Sequence, residues 1–297
     1  MSLGTIFLVI IFVAILVVLL AYQIFLYVQD KVLFLPLTEH IWEPNDQHED
    51  IFFGLPPTYL HGWYFPYDHR AEDQRRVVLF CHGNTGNISH RRYVVDLCHE
   101  MQLSLFLFDY RGYGKSRGKS TLDTLKQDGD QAYRYLRGEL GYRSDEIIIW
   151  GESLGGLVAC HIASRYPAHR LLLMATYADL ASLSLESEST WTKLAYPFLL
   201  WQDESNIKKL SSSSTPTLIL HSIEDELIPY SHAFRLYWSI NHQWKNILLV
   251  KGGHGNPVIT PEEMIAIMRF CWQEPKITVE GCSVLDHIAA TRTKHGF

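Results

Sequence analysis

Ser153 stands in Gly151-Glu152-Ser153-Leu154-Gly155, the segment from which chemistry is most directly read. A serine hydroxyl is a poor nucleophile at neutral pH, so it needs a general base within hydrogen-bond reach and a carboxylate to orient that base. A G-x-S-x-G string arises easily by accident, and its setting decides its meaning. The motif follows the strand-like Ile147-Ile148-Ile149-Trp150 and opens a helical pattern with apolar positions at Leu154, Leu157, Val158 and Ile162. A strand-turn-helix of this kind holds a serine in a strained turn at the carboxyl edge of a sheet. Gly151 and Gly155 then remove side chains that would clash where strand and helix pass. A serine in a purely structural turn is the plain alternative.

On such an elbow the partners follow in the order serine, acid, histidine. His254, in Gly252-Gly253-His254-Gly255, comes directly after the last strand-like run, and its flanking glycines let the loop curl toward the serine. The acid is expected after the run 217–220, in His221-Ser222-Ile223-Glu224-Asp225-Glu226. Asp225 is the expected acid, with Glu224 and Glu226 as solvated neighbours and Asp179, beyond the preceding strand, as its rival. The Leu154 N–H lies in the first turn of the helix, has no acceptor within it, and can donate to a developing oxyanion. A second donor is expected at the Asn84 backbone N–H, in the glycine-rich Cys81-His82-Gly83-Asn84-Thr85-Gly86-Asn87. The expected chemistry is acyl transfer without a metal or cofactor, since the histidines lack HExxH spacing.

These residues need a frame that carries loops to one edge of a sheet. Residues 51–53 and 59–65 read as two strands of an antiparallel edge. Beyond them the short apolar runs 77–81, 103–108, 147–150, 171–174, 217–220 and 247–250 read as buried parallel strands. Helical patterns near 89–101, 121–139, 154–165, 230–240 and 260–271 alternate with them. The alternation predicts an α/β fold with a mostly parallel, doubly wound sheet covered on both faces. Residues 176–214, with Trp191, Tyr196, Phe198 and Trp201, interrupt it and suggest a short cap insertion, with peripheral helical packing as the alternative.

Residues 5–28 are free of charge and as a helix would extend about 36 Å, more than the roughly 30 Å of a hydrocarbon core. A cleaved signal would show a basic start, a shorter apolar run and a small-residue cleavage site, so an uncleaved single-pass anchor is expected. Lys31, opposed by Asp30, leans the domain toward the cytoplasmic side. The expected organisation is an anchor over 1–29, a catalytic domain over 30–272 and a tail over 273–297.

With 47% apolar residues, a chain of 297 residues can bury one sizeable core. Its 26 basic and 32 acidic side chains give net charge −6 without runs of one sign, which argues against a nucleic-acid partner. Five scattered cysteines without a CxxC pair read as small core residues. Gly118-Lys119-Ser120 invites a phosphate-binding reading. Tyr113 stands where a Walker loop needs its first glycine, however, and Arg117 where a dinucleotide fingerprint needs its last. Asn87-Ile88-Ser89 matches a glycosylation triplet but lies in a loop assigned to the site, and is taken as chance.

Over residues 30–272 the chain resembles the α/β-hydrolase superfamily, and more narrowly its membrane-anchored serine hydrolases. The resemblance rests on residues 80–87, Phe108-Asp109-Tyr110-Arg111-Gly112-Tyr113-Gly114, residues 151–156, Asp225 ahead of Ile228-Pro229, and His254. It implies the α/β-hydrolase fold and a lysophospholipase-like or acyl-protein-thioesterase-like esterase acting on a small-molecule or lipid-like acyl ester. Two departures stand out. Ser222 replaces the usual glycine, and the apolar anchor replaces the cysteine-rich, palmitoylated N-terminus of protein depalmitoylases. A serine peptidase or amidase of the same fold, and a non-catalytic anchored receptor or scaffold, are the alternatives.

Overall fold

The computed structural model describes residues 2–44, 48–56, 58–68, 75–186, 193 and 204–273. Helix α1 (Leu3–Leu33) opens the chain with apolar side chains exposed along most of its length. Near its end Gln29 is buried, and the Asp30 carboxylate pairs with Lys119 Nζ at 2.8 Å. One buried residue, Phe34, leads into the two-residue strand β1 (Leu35–Pro36).

The strands that follow are β2 (Glu49–Phe53), β3 (Leu60–Phe65), β4 (Val77–Cys81), the short β5 (Thr85–Gly86) and β6 (Ser104–Phe108). After them come β7 (Ile147–Glu152), β8 (Arg170–Met174), β9 (Thr217–Ser222), β10 (Lys245–Gly253) and β11 (Asn256–Val258). Nine of them form one sheet in the order β11-β10-β9-β8-β7-β4-β6-β3-β2, while β1 pairs in parallel with β5. The six strands from β10 to β6 in that order are mutually parallel. β2, β3 and β11 are antiparallel to their neighbours and form the two edges.

Both faces of the parallel strands are covered, which is why their sequences run apolar without a polar alternate. Leu79, Ile147, Ile149 and Leu173 point to one core, with Leu125 and Ala132 of α3 (Leu122–Gly138) and Leu157 and Val158 of α4 (Gly155–Arg165). Val78, Phe80, Ile148 and Trp150 point to the other. There they meet Val94 and Cys98 of α2 (Arg92–Glu100) and Ile267 and Phe270 of the last helix, Pro261–Trp272. Each such fully buried aliphatic side chain stabilises the fold by about 1.5–3 kcal/mol. Cys81, Cys98, Cys160 and Cys271 are unbonded and buried in these cores.

Helix ends follow local chemistry. Thr121 accepts from the Thr124 N–H at the start of α3, and Thr260 and Glu263 form a reciprocal cap around Pro261. The expected helix 89–101 is divided, with a short 3-10 turn at Ile88–His90 and α2 beginning only after Arg91. Of the expected cap, residues 187–192 and 194–203, with all four named aromatics, lie outside the described residues. Its described flanks are the short helices α5 (Leu180–Glu186) and α6 (Asn206–Ser212). Helices α7 (Ser231–Ser239) and α8 (Pro261–Trp272) complete the layers. Residues 274–297 of the expected tail are also outside the described residues.

Candidate active site

The carboxyl ends of β4, β7, β9 and β10 bring the sequence-predicted residues together. Between β7 and α4, Ser153 holds a φ of +52°, a conformation costly for any residue with a Cβ. Neighbours fix that turn. The Ser153 N–H donates to the Met174 carbonyl at 2.9 Å, and Thr176 Oγ1 donates to the Ser153 carbonyl at 2.7 Å. A Cβ on Gly151 would come within 2.6 Å of the Ala159 Cβ, and one on Gly155 within 1.9 Å of the Cys81 carbonyl oxygen. Only glycine lets strand and helix approach this closely.

His254 follows β10 and reaches back over the elbow. Its Nε2 lies 3.0 Å from Ser153 Oγ, and its Nδ1 2.8 Å from Asp225 Oδ2. An ionised carboxylate only accepts, so the proton sits on Nδ1 and leaves Nε2 to accept from the serine hydroxyl. Asp225 Oδ1 accepts from the N–H groups of Leu227 (2.9 Å) and Ile228 (2.8 Å). Burial by itself would raise the Asp225 pKa. Hydrogen bonds from His221, His254 and the Ile228 N–H outweigh it and hold the carboxyl well below the usual carboxylate range.

The rival acid Asp179 is engaged elsewhere, its carboxylate accepting from the Ser182 N–H and hydroxyl at 2.7 Å each. Glu224 and Glu226 are exposed, as expected of solvated neighbours, and they also clasp the histidine loop. Glu224 Oε2 accepts from the Gly252 N–H at 2.8 Å, and Glu226 Oε2 from the His254 N–H at 2.9 Å. Ser222 adds a hydroxyl bond to the Gly252 carbonyl, a fastening that a glycine at this position lacks.

On the other side of the serine, the register sets Cys81 of β4 opposite Gly151 of β7, so the loop carrying Asn84 lies beside the elbow. The Asn84 carbonyl accepts from the Leu35 N–H (3.0 Å) and the Tyr113 hydroxyl (2.8 Å), which fixes the peptide. Leu154 is the N-cap of α4, so its N–H lies at the helix start and has no acceptor within the helix.

Sequence reasoning missed two supports. The Glu152 carboxylate accepts from Arg91 Nε at 2.6 Å and the Gly83 N–H at 3.3 Å, tying the elbow to the Asn84 loop. His221 Nε2 lies 2.9 Å from the Ile228 carbonyl and 3.3 Å from Asp225 Oδ2, a second imidazole on the same carboxylate. Neither sits in a motif; Glu152 merely occupies a variable position of the elbow string.

Residues 72–211 match the family model described as serine aminopeptidase, S33. An uncharacterized protein of Mycobacterium tuberculosis is 30% identical over 213 residues, 71% of this chain and 74% of that protein. The chain belongs to the α/β-hydrolase superfamily. The hydrolase is also 28% identical over 206 residues to alpha/beta hydrolase domain-containing protein 17B of Homo sapiens, covering 69% of each chain. Its fold matches an esterase of Pyrococcus furiosus with a TM-score of 0.65 at 19% identity, over 82% of this chain and 99% of that one. The fold of mouse alpha/beta hydrolase domain-containing protein 10 matches with a TM-score of 0.58 at 17% identity, over 82% and 99%. The expected fold and family therefore hold.

Proposed function

We propose that this hydrolase is a membrane-anchored serine esterase or thioesterase whose substrate carries an acyl chain. The observation that carries the reading is the continuous relay from Ser153 Oγ through His254 to Asp225, at 3.0 and 2.8 Å, on an elbow with positive φ. His254 Nε2 takes the hydroxyl proton as Ser153 Oγ bonds to the carbonyl carbon, and Asp225 stabilises the imidazolium. The Asn84 and Leu154 N–H groups stabilise the oxyanion, each by about 3 kcal/mol. Collapse breaks the acyl–oxygen or acyl–sulfur bond, and the leaving alcohol or thiol takes the proton from His254. Water then repeats the sequence on the acyl-enzyme and releases the acid.

The anchor supports an acyl-chain substrate. The 31 residues of α1 extend about 46 Å as a helix, and its best window has a mean hydropathy of 3.3. Only Phe34 separates it from β1, which pairs with β5 in the loop of Asn84. A bilayer around α1 thus lies close to the mouth of the site, and a single-pass topology with the domain on the cytoplasmic side follows the basic Lys31. The serine aminopeptidase description of the matching family favours, as a second reading, cleavage of amides.

Labelling with a fluorophosphonate tests the relay. Strong labelling of the wild type and none of Ser153→Ala is expected, and an unlabelled, folded wild type leaves only a non-catalytic role. Turnover of p-nitrophenyl esters that rises beyond acetate supports the acyl-chain substrate. Faster cleavage of aminoacyl amides than of any ester selects the second reading.

A further inference from the structure

Behind the Asn84 loop three imidazoles converge on one buried carboxylate. Asp109 Oδ2 lies 3.9 Å from His40 Nε2 and 3.6 Å from His61 Nδ1, and Asp109 Oδ1 lies 3.7 Å from His82 Nε2. All exceed hydrogen-bond length. His40 Nε2, His61 Nδ1, His82 Nε2 and Asp109 Oδ2 are buried without a partner. The side chains of His61, His82 and Asp109 are fully buried and that of His40 is 5% exposed.

The opposite ring nitrogens are already used. His40 Nδ1 faces Glu43 Oε1 at 2.8 Å, His61 Nε2 faces Asp50 Oδ1 at 2.5 Å, and His82 Nδ1 faces the Gly83 carbonyl at 2.7 Å. Each partner is an acceptor, so each of those nitrogens carries the proton. A neutral ring then turns a lone pair toward Asp109; only His40, whose pKa the Asp109 and Glu43 carboxylates raise, can turn an N–H there instead. Lone pairs against a carboxylate in a dry interior are repulsive unless a cation lies between them.

We propose that His40 Nε2, His61 Nδ1 and Asp109 Oδ2 hold a zinc ion in a buried site whose fourth position is taken by water. The three ligand atoms lie within 4.8 Å of one another. Ligands at about 2.0–2.1 Å around a tetrahedral zinc stand about 3.3 Å apart, so the side chains, whose ligand atoms are up to 4.8 Å apart here, close in by as much as about 1.5 Å when the ion binds. Two imidazoles and a carboxylate suit zinc among redox-inert ions, and carboxylates behind the ligating imidazoles are the usual supporting shell. Charge agrees as well. Glu43, Asp50 and Asp109 carry three negative charges against the one positive charge of Lys115, whose Nζ lies 3.6 Å from Glu43 and 3.8 Å from Asp50. Gly114 packs closely against the cluster, since a Cβ there would stand 2.0 Å from Asp109 Oδ2 and 3.1 Å from His40 Nε2.

The ion joins the segment behind the anchor (His40), the sheet edge (His61) and the turn after β6 (Asp109). Asp109 Oδ1 also accepts from the Ile88 N–H, so the site underpins the loop beside Ser153. It does not depend on the hydrolytic mechanism proposed above. Full-length protein purified in detergent from zinc-supplemented cells is expected to carry one zinc per chain. His254→Ala should retain it, whereas His61→Ala and Asp109→Asn should fall to background. Those two changes can impair folding, so a second measurement uses the wild type alone. After chelation, added Co2+ should produce the visible absorption of a tetrahedral site, and added Zn2+ should raise Tm. Wild type with no bound metal, no cobalt absorption and no Tm response overturns the proposal. Metal lost in His254→Ala but kept in His61→Ala overturns it too, and iron in place of zinc overturns the choice of ion.

Discussion

Four donors converge on the Asp225 carboxylate: two backbone N–H groups and the imidazoles of His254 and His221. They lower its pKa in the folded state. A carboxyl held below its unfolded value of about 3.9 stabilises the fold fully above that pH and loses its contribution as pH falls through the folded value. Asp225→Asn is therefore expected to lower stability by a constant amount above about pH 5, and the difference from wild type should shrink toward pH 2. Urea titrations across that range measure it; a gap that widens in acid would mean that folding raises the pKa of this carboxyl instead. The asparagine also leaves the Nδ1 proton without its carboxylate, and turnover should fall by about three to four orders of magnitude with folding intact. His254 and Ser153 were legible at this scale because each sits in a glycine-bounded string beside a strand. His221 was not, because it lies in no motif, near the end of β9 and with three residues of chain between it and Asp225.

At the scale of elements, the loop after β10 is held to the loop after β9 by Glu224, Glu226 and Ser222. The Glu226 bond reaches the backbone N–H of His254 itself, so it sets the approach of the imidazole to Ser153. Glu226→Ala is expected to lower kcat about three- to tenfold with little change in KM, and Glu226→Gln, whose amide oxygen still accepts, to recover most of it. Equal losses in both variants would point to charge rather than to the bond. The sequence concealed this clasp because its partners lie 28 residues apart in the loops after different strands. It disclosed the strands readily, since burial on both faces makes β4 and the central residues of β6, β7 and β8 apolar, and their boundaries shift by one or two residues at most. The pairing of β1 with β5 was hidden, because two residues carry no pattern. So was the meeting of His61 with Asp109, which depends on the register that sets Gly62 opposite Phe108.

For the whole molecule, the consequence of the fold is where it sets the site relative to α1. Asp30, at the end of that helix, pairs with Lys119, and the chain then passes directly into the strand beside the Asn84 loop. If α1 spans a bilayer, this arrangement offers long acyl chains a short path from lipid to Ser153. Full-length protein in phosphatidylcholine vesicles should therefore cleave a long-chain acyl ester dissolved in the bilayer faster than the same ester carried by serum albumin. Lys119→Glu sets two like charges together at the helix end. An exposed pair of this kind is worth little, so the preference for the bilayer-borne ester should fall only about two- to fivefold. Hydrolysis of water-soluble p-nitrophenyl acetate should not change, since Lys119 touches none of the residues around Ser153. A rate that is the same for both presentations of the ester argues against delivery from the membrane while leaving the serine mechanism intact. A parallel loss of acetate hydrolysis in Lys119→Glu would mean that the pair supports the domain and not its approach to lipid.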